Sequence, residues 1–281
     1  MVRANGVDLC VEVFGDPADP PILLVMGSSA SMDWWEDEFC ARLAAGGRFV
    51  IRYDHRDTGR SVTDEPGAPR YTMGDLVADV VGLLDALELP AAHLVGMSMG
   101  GAIVQLVALD RPERVASLTL ISTSLVGRDG PELPGMSEET IAAFRALPEP
   151  DWRDRDAVTD HLVALARISA ARSRPFDEAR FRALAGRVVD RSANIASSIK
   201  NHNILVAGDP PPVRRERLDT PTLVVHGTED PVLPFEHGLA LAGAVAGARL
   251  LRLEHTGHEL PAPVWDAVVP AILEHTSVDG R

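Results

Sequence analysis

The sequence predicts an α/β fold in which a doubly wound, mostly parallel sheet carries an inserted helical cap. Short apolar runs rich in β-branched residues recur along the chain, and stretches with helical periodicity lie between them. Continuous apolar runs are typical of strands that are buried on both faces of a parallel sheet. Strands that alternate with helices predict a doubly wound arrangement. One long segment without a convincing strand interrupts the alternation, and this segment predicts the cap.

The predicted elements follow one another in a regular order. Residues 7–14 alternate between apolar and polar side chains, which predicts an antiparallel strand. The continuous apolar runs, each predicted to be a parallel strand, are residues 21–26, 48–53, 93–97, 117–122, 222–226 and 248–254. The helical patterns between them cover residues 34–44, 73–87, 100–109 and 262–274.

The interrupting segment is residues 126–217. Its helical patterns, which prolines separate, are residues 154–168, 176–189 and 192–205. We therefore predict a core formed by residues 1–125 and 218–281 and a helical cap formed by residues 126–217. Ligands of open α/β sheets bind in the crevice at the carboxyl ends of the strands, so we expect the cap to cover that crevice.

The composition argues against several classes of protein. The net charge is −14, from 27 basic and 41 acidic residues, and this charge opposes binding to nucleic acid or to anionic lipid. No apolar run reaches the roughly 18 residues that a membrane-spanning helix needs, and the N-terminus does not resemble a secretory signal. The two cysteines give neither a disulfide framework nor a metal cluster. We expect a cytoplasmic protein without a metal or organic cofactor and without nucleic-acid or membrane partners.

The strongest chemical motif is the turn Gly96-Met97-Ser98-Met99-Gly100, which follows a predicted strand and opens a predicted helix. In this context, Gly-x-Ser-x-Gly predicts a nucleophilic serine held above the carboxyl end of the sheet. The glycines occupy positions where a Cβ would collide with the neighbouring strand or helix. The helix N-terminus favours the negative charge that develops on a carbonyl oxygen during attack. Ser98 is therefore the predicted nucleophile.

A serine hydroxyl needs a base, and the base needs a partner that orients it. Both are expected after later strands, in the order serine, acid, histidine. The loop after the penultimate strand offers Glu229 and Asp230, and the loop after the last strand offers His255 and His258. We favour Asp230, because prolines fix the chain beyond it, and His258, because it lies further into its loop. The other seven of the nine histidines are interpreted as structural.

Acyl transfer also needs two N–H donors aimed at the developing oxyanion. We expect the first to be the backbone N–H of Met99, directly after the nucleophile. The second is expected in the loop after residues 21–26, at the backbone N–H of Ser28, because Gly27 permits a sharp bend there. The candidate residues of the substrate pocket are Met26, Gly27, Trp34 and, in the cap, Trp152.

With these loops placed, the sequence resembles the α/β-hydrolase superfamily over essentially its whole length. Two segments are similar to the bacterial carboxylesterases that include aclacinomycin methylesterase, which acts on an anthracycline methyl ester. These segments are Asp16-Pro17-Ala18-Asp19-Pro20 before Ile22-Leu23-Leu24-Val25-Met26-Gly27, and Ile51-Arg52-Tyr53-Asp54-His55-Arg56-Asp57-Thr58-Gly59-Arg60-Ser61. The resemblance implies a catalytic triad at Ser98, Asp230 and His258. It also implies oxyanion donors at Ser28 and Met99.

The sequence therefore predicts a serine carboxylic-ester hydrolase that acts on small to medium apolar esters through an acyl-enzyme. Methionines near the predicted nucleophile favour uncharged and varied substrates. Two alternatives remain open, namely a methyl esterase of a polyketide-type natural product and a triad-bearing ligand receptor with little turnover. A small-molecule ester is the partner that the sequence predicts.

Overall fold

A computed structural model describes residues 1–127, 132–206 and 218–277 of the chain. The strands are β1 (Val2–Ala4), β2 (Val7–Leu9), β3 (Val11–Phe14), β4 (Pro21–Val25), β5 (Phe49–Tyr53), β6 (Ala92–Met97), β7 (Val115–Ile121), β8 (Thr222–Gly227) and β9 (Arg249–Leu253). Seven of them form the central sheet in the order β3-β5-β4-β6-β7-β8-β9. β3 is antiparallel to β5, and the other neighbouring strands are parallel. The predicted mostly parallel sheet is therefore confirmed.

Helices cover both faces of this sheet. The helices of the described residues are α1 (Asp37–Ala45), α2 (Met73–Ala86), α3 (Met99–Asp110), α4 (Glu138–Ala146), α5 (Arg155–Ser169), α6 (Glu178–Arg191), α7 (Ile195–Val206), α8 (Glu236–Ala244) and α9 (Trp265–His275). Successive side chains of a strand point to opposite faces. Ile22 and Leu24 of β4 accordingly share a core with α1 and α9, whereas Leu23 and Val25 share a core with α2, α3 and α8. Within the described ranges, no helix is long and apolar enough to cross a membrane.

The N-terminal region differs from the single strand predicted over residues 7–14. The run divides at Cys10 into β2, which pairs with β1, and β3, which pairs with β5. The β1–β2 connection is Asn5-Gly6, and both residues have a positive φ, 44° and 77°. A two-residue type I′ turn requires this conformation at both positions. Asn-Gly is a strong hairpin signal, so the turn at residues 5 and 6 could have been predicted from the sequence.

Two helices are missing from the predicted elements. α8 is apolar over most of its length, so a helical period does not stand out against the background. α4 is short, with nine residues, and Thr140 is the one that is buried. It begins after Ser137, whose hydroxyl accepts a hydrogen bond from the Thr140 N–H (3.1 Å). A helical period is hard to recognise over so few residues, because it shows reliably only in windows of about 11 to 18 residues.

The described part of the segment between β7 and β8 consists of α4, α5, α6 and α7. α5 and α6 pack on each other through an apolar cluster that includes Leu162 and Leu184. Arg191 joins α6 to the rest of the protein by ion pairs with Asp33 (2.6 Å) and Asp54 (2.6 Å). The predicted boundary at residue 217 lies outside the described residues. The division into a core and a cap stays a prediction.

Candidate active site

Ser98 occupies the turn between β6 and α3, at the carboxyl end of the sheet. Its φ of 53° and ψ of −119° form a strained combination that L residues rarely adopt. The turn is held by hydrogen bonds from the Ser98 N–H to the Ile121 carbonyl (3.0 Å) and from the Thr123 hydroxyl to the Ser98 carbonyl (2.8 Å). The Ser98 hydroxyl does not cap α3. The hydroxyl is therefore not engaged by the helix that it precedes.

Two glycines let this turn lie tightly against the sheet. A Cβ on Gly96 would lie 2.4 Å from the Gly100 carbonyl oxygen, and a Cβ on Gly100 would lie 2.1 Å from the Val25 carbonyl oxygen. Both obstacles are backbone atoms, which cannot move aside as a flexible side chain can. The close packing of β4, β6 and α3 therefore requires glycine at both positions.

Gly100→Ala should destabilise the protein by about 3 kcal/mol, because the new methyl group overlaps the backbone of β4. Gly243→Ala is a matched control, since Gly243 lies in α8 and its Cβ would meet nothing within 4 Å. Alanine there should stabilise the protein by about 0.5 to 1 kcal/mol. Urea unfolding measures both changes. Equal stabilities of the two variants would contradict the packing argument.

Asp230 and His258 meet beyond the carboxyl ends of β8 and β9. The His258 Nδ1 lies 2.8 Å from Asp230 Oδ2, and the side chain of Asp230 is fully buried. The other carboxylate oxygen accepts hydrogen bonds from the N–H groups of Val232 (2.9 Å) and Leu233 (2.8 Å). A carboxylate held in this way accepts the Nδ1–H of the imidazole and leaves Nε2 as its basic nitrogen.

The loop that carries His258 is fixed against the end of α5. The His258 N–H donates to the Ser169 carbonyl (2.8 Å). A Cβ on Gly257 would lie 2.3 Å from the same carbonyl oxygen, so this approach depends on glycine. His258 and Ser98 both line one large cavity. The predicted nucleophile and the predicted base therefore border the same cavity.

Glu229 and His255, the alternatives for acid and base, form a separate cluster at the surface. The Glu229 carboxylate accepts the Ser173 N–H (3.1 Å) and lies 3.2 Å from His255 Nδ1. The hydrogen bond from the Ser173 hydroxyl is the main reason that the pKa of Glu229 is lowered. The side chain of His255 is 71% exposed, whereas that of His258 is 12% exposed. The geometry favours Asp230 and His258.

The loop after β4 lies directly against the nucleophile. A Cβ on Gly27 would lie 3.2 Å from Ser98 Cβ, so glycine leaves room beside the serine. The Ala30 N–H donates to the Gly27 carbonyl (3.4 Å). Because the C=O and N–H of a trans peptide point in opposite directions, the Ser28 N–H points away from Ala30. The other predicted donor, Met99, is the first residue of α3, and its N–H has no intrahelical acceptor.

Two buried histidines hold the backbone of this loop. The His55 Nε2–H donates to the Met26 carbonyl (2.9 Å), and His202 Nδ1 accepts the Ser29 N–H (2.8 Å). Both side chains are fully buried, and burial lowers the pKa of each to about 4. Both are therefore neutral near neutral pH. From the sequence, both histidines are interpreted as structural, and no motif or spacing there marks a histidine that binds the backbone of a distant segment.

The free energy of unfolding should decrease as the pH is lowered, because the folded state excludes protons from these two histidines. An unfolded histidine has a pKa of about 6.5, so the unfolded chain binds more protons than the folded chain between about pH 4 and 6.5. From pH 7 to pH 5, we expect a loss of about 2 kcal/mol for each of them. His202→Asn removes one titrating group, so between pH 7 and pH 5 this variant should lose about 2 kcal/mol less than the wild type. Urea unfolding at both pH values measures the difference, and an unchanged loss in His202→Asn would refute the argument.

The predicted nucleophile and base open onto a mostly apolar cavity of about 1370 Å³. The predicted pocket residues that line it are Met26, Gly27 and Trp34. Trp152 does not line the cavity, and its prediction as a pocket residue is wrong. Its indole packs against His161, with ring centroids 6.0 Å apart, and its N–H donates to Glu149 (2.6 Å). Trp152 therefore lies next to His161, which lines the cavity, and not at the cavity itself.

Two arginine–carboxylate pairs also border the cavity. Arg174 pairs with Glu259, which directly follows His258, and Arg180 pairs with Glu36 (2.9 Å). Burial raises the pKa of Glu259. These four residues are not among the predicted site residues, because each pair joins distant parts of the chain and leaves no local pattern. Each pair balances its own charge, so the pairs are compatible with uncharged substrates.

The fold and this site together define an α/β hydrolase. Residues 20–261 match the family described as alpha/beta hydrolase fold, and the chain belongs to this family. The predicted fold class and superfamily are confirmed.

Several known proteins are similar to the chain over most of its length. The rhodomycin D methylesterase DauP of Streptomyces sp. (strain C5) is 36% identical, and the alignment covers 98% of this chain and 97% of that protein. The 2-hydroxymuconate semialdehyde hydrolase of Pseudomonas sp. (strain CF600) is 31% identical over 85% of this chain and 80% of that protein. An esterase from Exiguobacterium antarcticum, at 23% identity, has the same fold with a TM-score of 0.76 and coverage of 98% and 97%. The prediction of an ester-hydrolysing enzyme that resembles the methylesterases is confirmed, whereas the individual site residues stay predictions.

Proposed function

We propose that the protein is a serine carboxylesterase in which Ser98 is the nucleophile, His258 is the general base and Asp230 orients the base. The contact between Asp230 and His258 is the observation that supports this proposal best. One carboxylate oxygen lies 2.8 Å from His258 Nδ1, and two backbone N–H groups occupy the other. This arrangement fixes the imidazole at the cavity that the strained Ser98 also lines.

The proposed reaction has two steps. Ser98 Oγ attacks the ester carbonyl carbon while His258 Nε2 takes its proton, and the N–H groups of Ser28 and Met99 hold the tetrahedral oxyanion. Collapse of this intermediate expels the alcohol, which receives the proton from His258, and leaves an acyl group on Ser98. Water then attacks the acyl-enzyme with the help of the same base and releases the carboxylic acid.

A methyl ester of a multi-ring, polyketide-type natural product is the substrate class that we propose. The cavity of about 1370 Å³ is larger than the range of about 300 to 1,000 Å³ common for ligand pockets, which favours a bulky acyl group. Its lining is mostly apolar and includes Met26, Met97 and Met99 next to Ser98. Relatives from two Streptomyces strains, each 36% identical to the chain, are rhodomycin D methylesterases. The proposal extends the small to medium esters expected from the sequence.

We also propose that residues 126–217 act as a cap on a core formed by residues 1–125 and 218–281. α5 and α6 contribute lining residues such as Leu162 and Phe181, so this segment shapes the pocket. A cytoplasmic location belongs to the same proposal, and fractionation of the producing cells tests it.

Ester turnover by the wild type and by Ser98→Ala tests the proposal. The substrates are p-nitrophenyl esters from acetate to laurate and methyl esters of benzoic, naphthoic and anthracene carboxylic acids. We expect many turnovers by the wild type, none above background by Ser98→Ala, and a kcat/KM that increases with the number of rings. The melting temperature of Ser98→Ala controls for folding.

Two other results would lead to different conclusions about the activity or the substrate. A single burst without further turnover by the wild type would favour the ligand receptor. A preference for short linear esters over multi-ring methyl esters would retain the esterase and overturn the proposed substrate class.

A further inference from the structure

α7 binds both peptide groups of Ser29, the residue that follows the proposed oxyanion donor. The Ser29 N–H donates to His202 Nδ1 (2.8 Å), and the Ser198 hydroxyl donates to the Ser29 carbonyl (2.9 Å). The φ of Ser29 is 62°, in the left-handed region that a serine seldom adopts without support from its surroundings. Two hydrogen bonds to α7 therefore hold the loop in this conformation at Ser29.

The ring of His202 has a defined tautomer. Its Nε2 lies 2.9 Å from the Arg56 carbonyl oxygen, which can only accept a hydrogen bond, so Nε2 carries the proton. Nδ1 is then an acceptor, as the Ser29 N–H requires. The ring is fully buried, and its pKa is lowered to about 4 by that burial, so the same tautomer persists at neutral pH.

Ser28 lies between two peptide groups that are held with different strength. On its N-terminal side, the Gly27 carbonyl accepts the Ala30 N–H at 3.4 Å, which is long for a hydrogen bond. On its C-terminal side, the Ser29 N–H is held by His202 at 2.8 Å. The shorter bond fixes the peptide group that follows Ser28, and this restraint limits how far the preceding peptide, which carries the Ser28 N–H, can rotate.

We propose that His202 is a positioning residue for ester hydrolysis, which keeps the Ser28 N–H aimed at the oxyanion. The inference rests on the proposed function. His202 does not line the cavity, so it acts through the loop and does not touch substrate. The Ser28 N–H would bind the oxyanion, which exists only during the reaction. Misplacing this donor should therefore lower kcat more than it changes KM.

Two near-isosteric substitutions separate this role from a merely structural one. In His202→Asn, the side-chain oxygen takes the place of Nδ1 and still accepts the Ser29 N–H. In His202→Gln, the amide reaches the place of Nε2 and still donates to the Arg56 carbonyl, but it leaves the Ser29 N–H without its acceptor. With p-nitrophenyl esters, we expect kcat to fall about 10- to 100-fold in His202→Gln and less than about threefold in His202→Asn, while KM changes less than about twofold.

An inhibitor provides a second readout. A boronic acid forms a tetrahedral adduct on a nucleophilic serine and places an oxygen near the oxyanion donors. Its inhibition constant should increase in parallel with the loss of kcat in His202→Gln and stay near the wild-type value in His202→Asn. Equal losses of kcat in the two variants, or a change only in the melting temperature, would overturn the inference.

If both His202 variants fail to fold, Ser198→Ala tests the same restraint on the loop. It removes only the hydroxyl that binds the Ser29 carbonyl, and it should lower kcat about three- to tenfold at an unchanged KM. An unchanged kcat would then overturn the inference. The absence of ester turnover by the wild type would instead contradict the proposed function, so the two failures are distinguishable.

Discussion

His258→Ala should lower kcat for ester hydrolysis about 10⁴- to 10⁶-fold, because it removes the proposed general base, whose role is to take the proton of Ser98 and return it to the leaving alcohol. His258 is the histidine that lies 2.8 Å from the buried Asp230 and lines the cavity. Steady-state and single-turnover kinetics with p-nitrophenyl esters measure the loss.

His255→Ala is the matched control for this prediction. The same substitution three residues earlier should keep at least about half of the wild-type kcat, because His255 is exposed and pairs with Glu229. Added imidazole should restore part of the activity of His258→Ala, since a small base can enter the space that the side chain leaves. A His255→Ala variant that loses activity while His258→Ala keeps it would reverse the assignment of the base.

Asp230→Asn should lower kcat about 10⁴-fold. One oxygen of Asp230 accepts the N–H groups of Val232 and Leu233, so the oxygen of an asparagine is expected to remain with these donors. The amide NH₂ then faces His258 Nδ1 and forces the imidazole into the tautomer that carries its proton on Nε2. That tautomer cannot accept the proton of Ser98.

Glu229→Gln is the control for Asp230→Asn. In the wild type, the Glu229 carboxylate binds Ser173 and His255 and not His258, so kcat should change less than about twofold in this variant. The melting temperatures of both variants separate an effect on chemistry from an effect on folding. An active Asp230→Asn together with an inactive Glu229→Gln would transfer the orienting role to Glu229.

The sheet and the order of the site loops could be predicted from the sequence because both depend on local patterns. Ile22 and Leu24 face one side of β4 while Leu23 and Val25 face the other, and burial on both sides produces a continuous apolar run. The glycines of the Ser98 turn are likewise a local signal, since a Cβ on Gly96 would collide with the carbonyl oxygen of Gly100, four residues later. α8 shows the limit of this approach, because a helix that is apolar over most of its length hides its period.

The contacts of individual side chains could not be predicted in this way. Trp152 is a large aromatic residue of the kind that lines apolar pockets, yet it does not line the cavity and packs against His161, which does. His202 lies 173 residues from Ser29 along the chain and contacts it only after α7 packs against the loop after β4. Arg174 and Glu259, 85 residues apart, likewise become neighbours only in the folded protein.

The sequence by itself determined the α/β class, the order of the elements and the short loops that contain the candidate nucleophile, acid and base. These features follow from the periodicity of burial and from the steric demands of a tight turn, which act over a few residues. Only the tertiary structure decided which carboxylate lies against which histidine, and which buried rings hold the loop beside Ser98. Glu229 and Asp230 are neighbours in one loop and yet bind different groups, and hydrogen bonds between distant segments depend on how the helices pack.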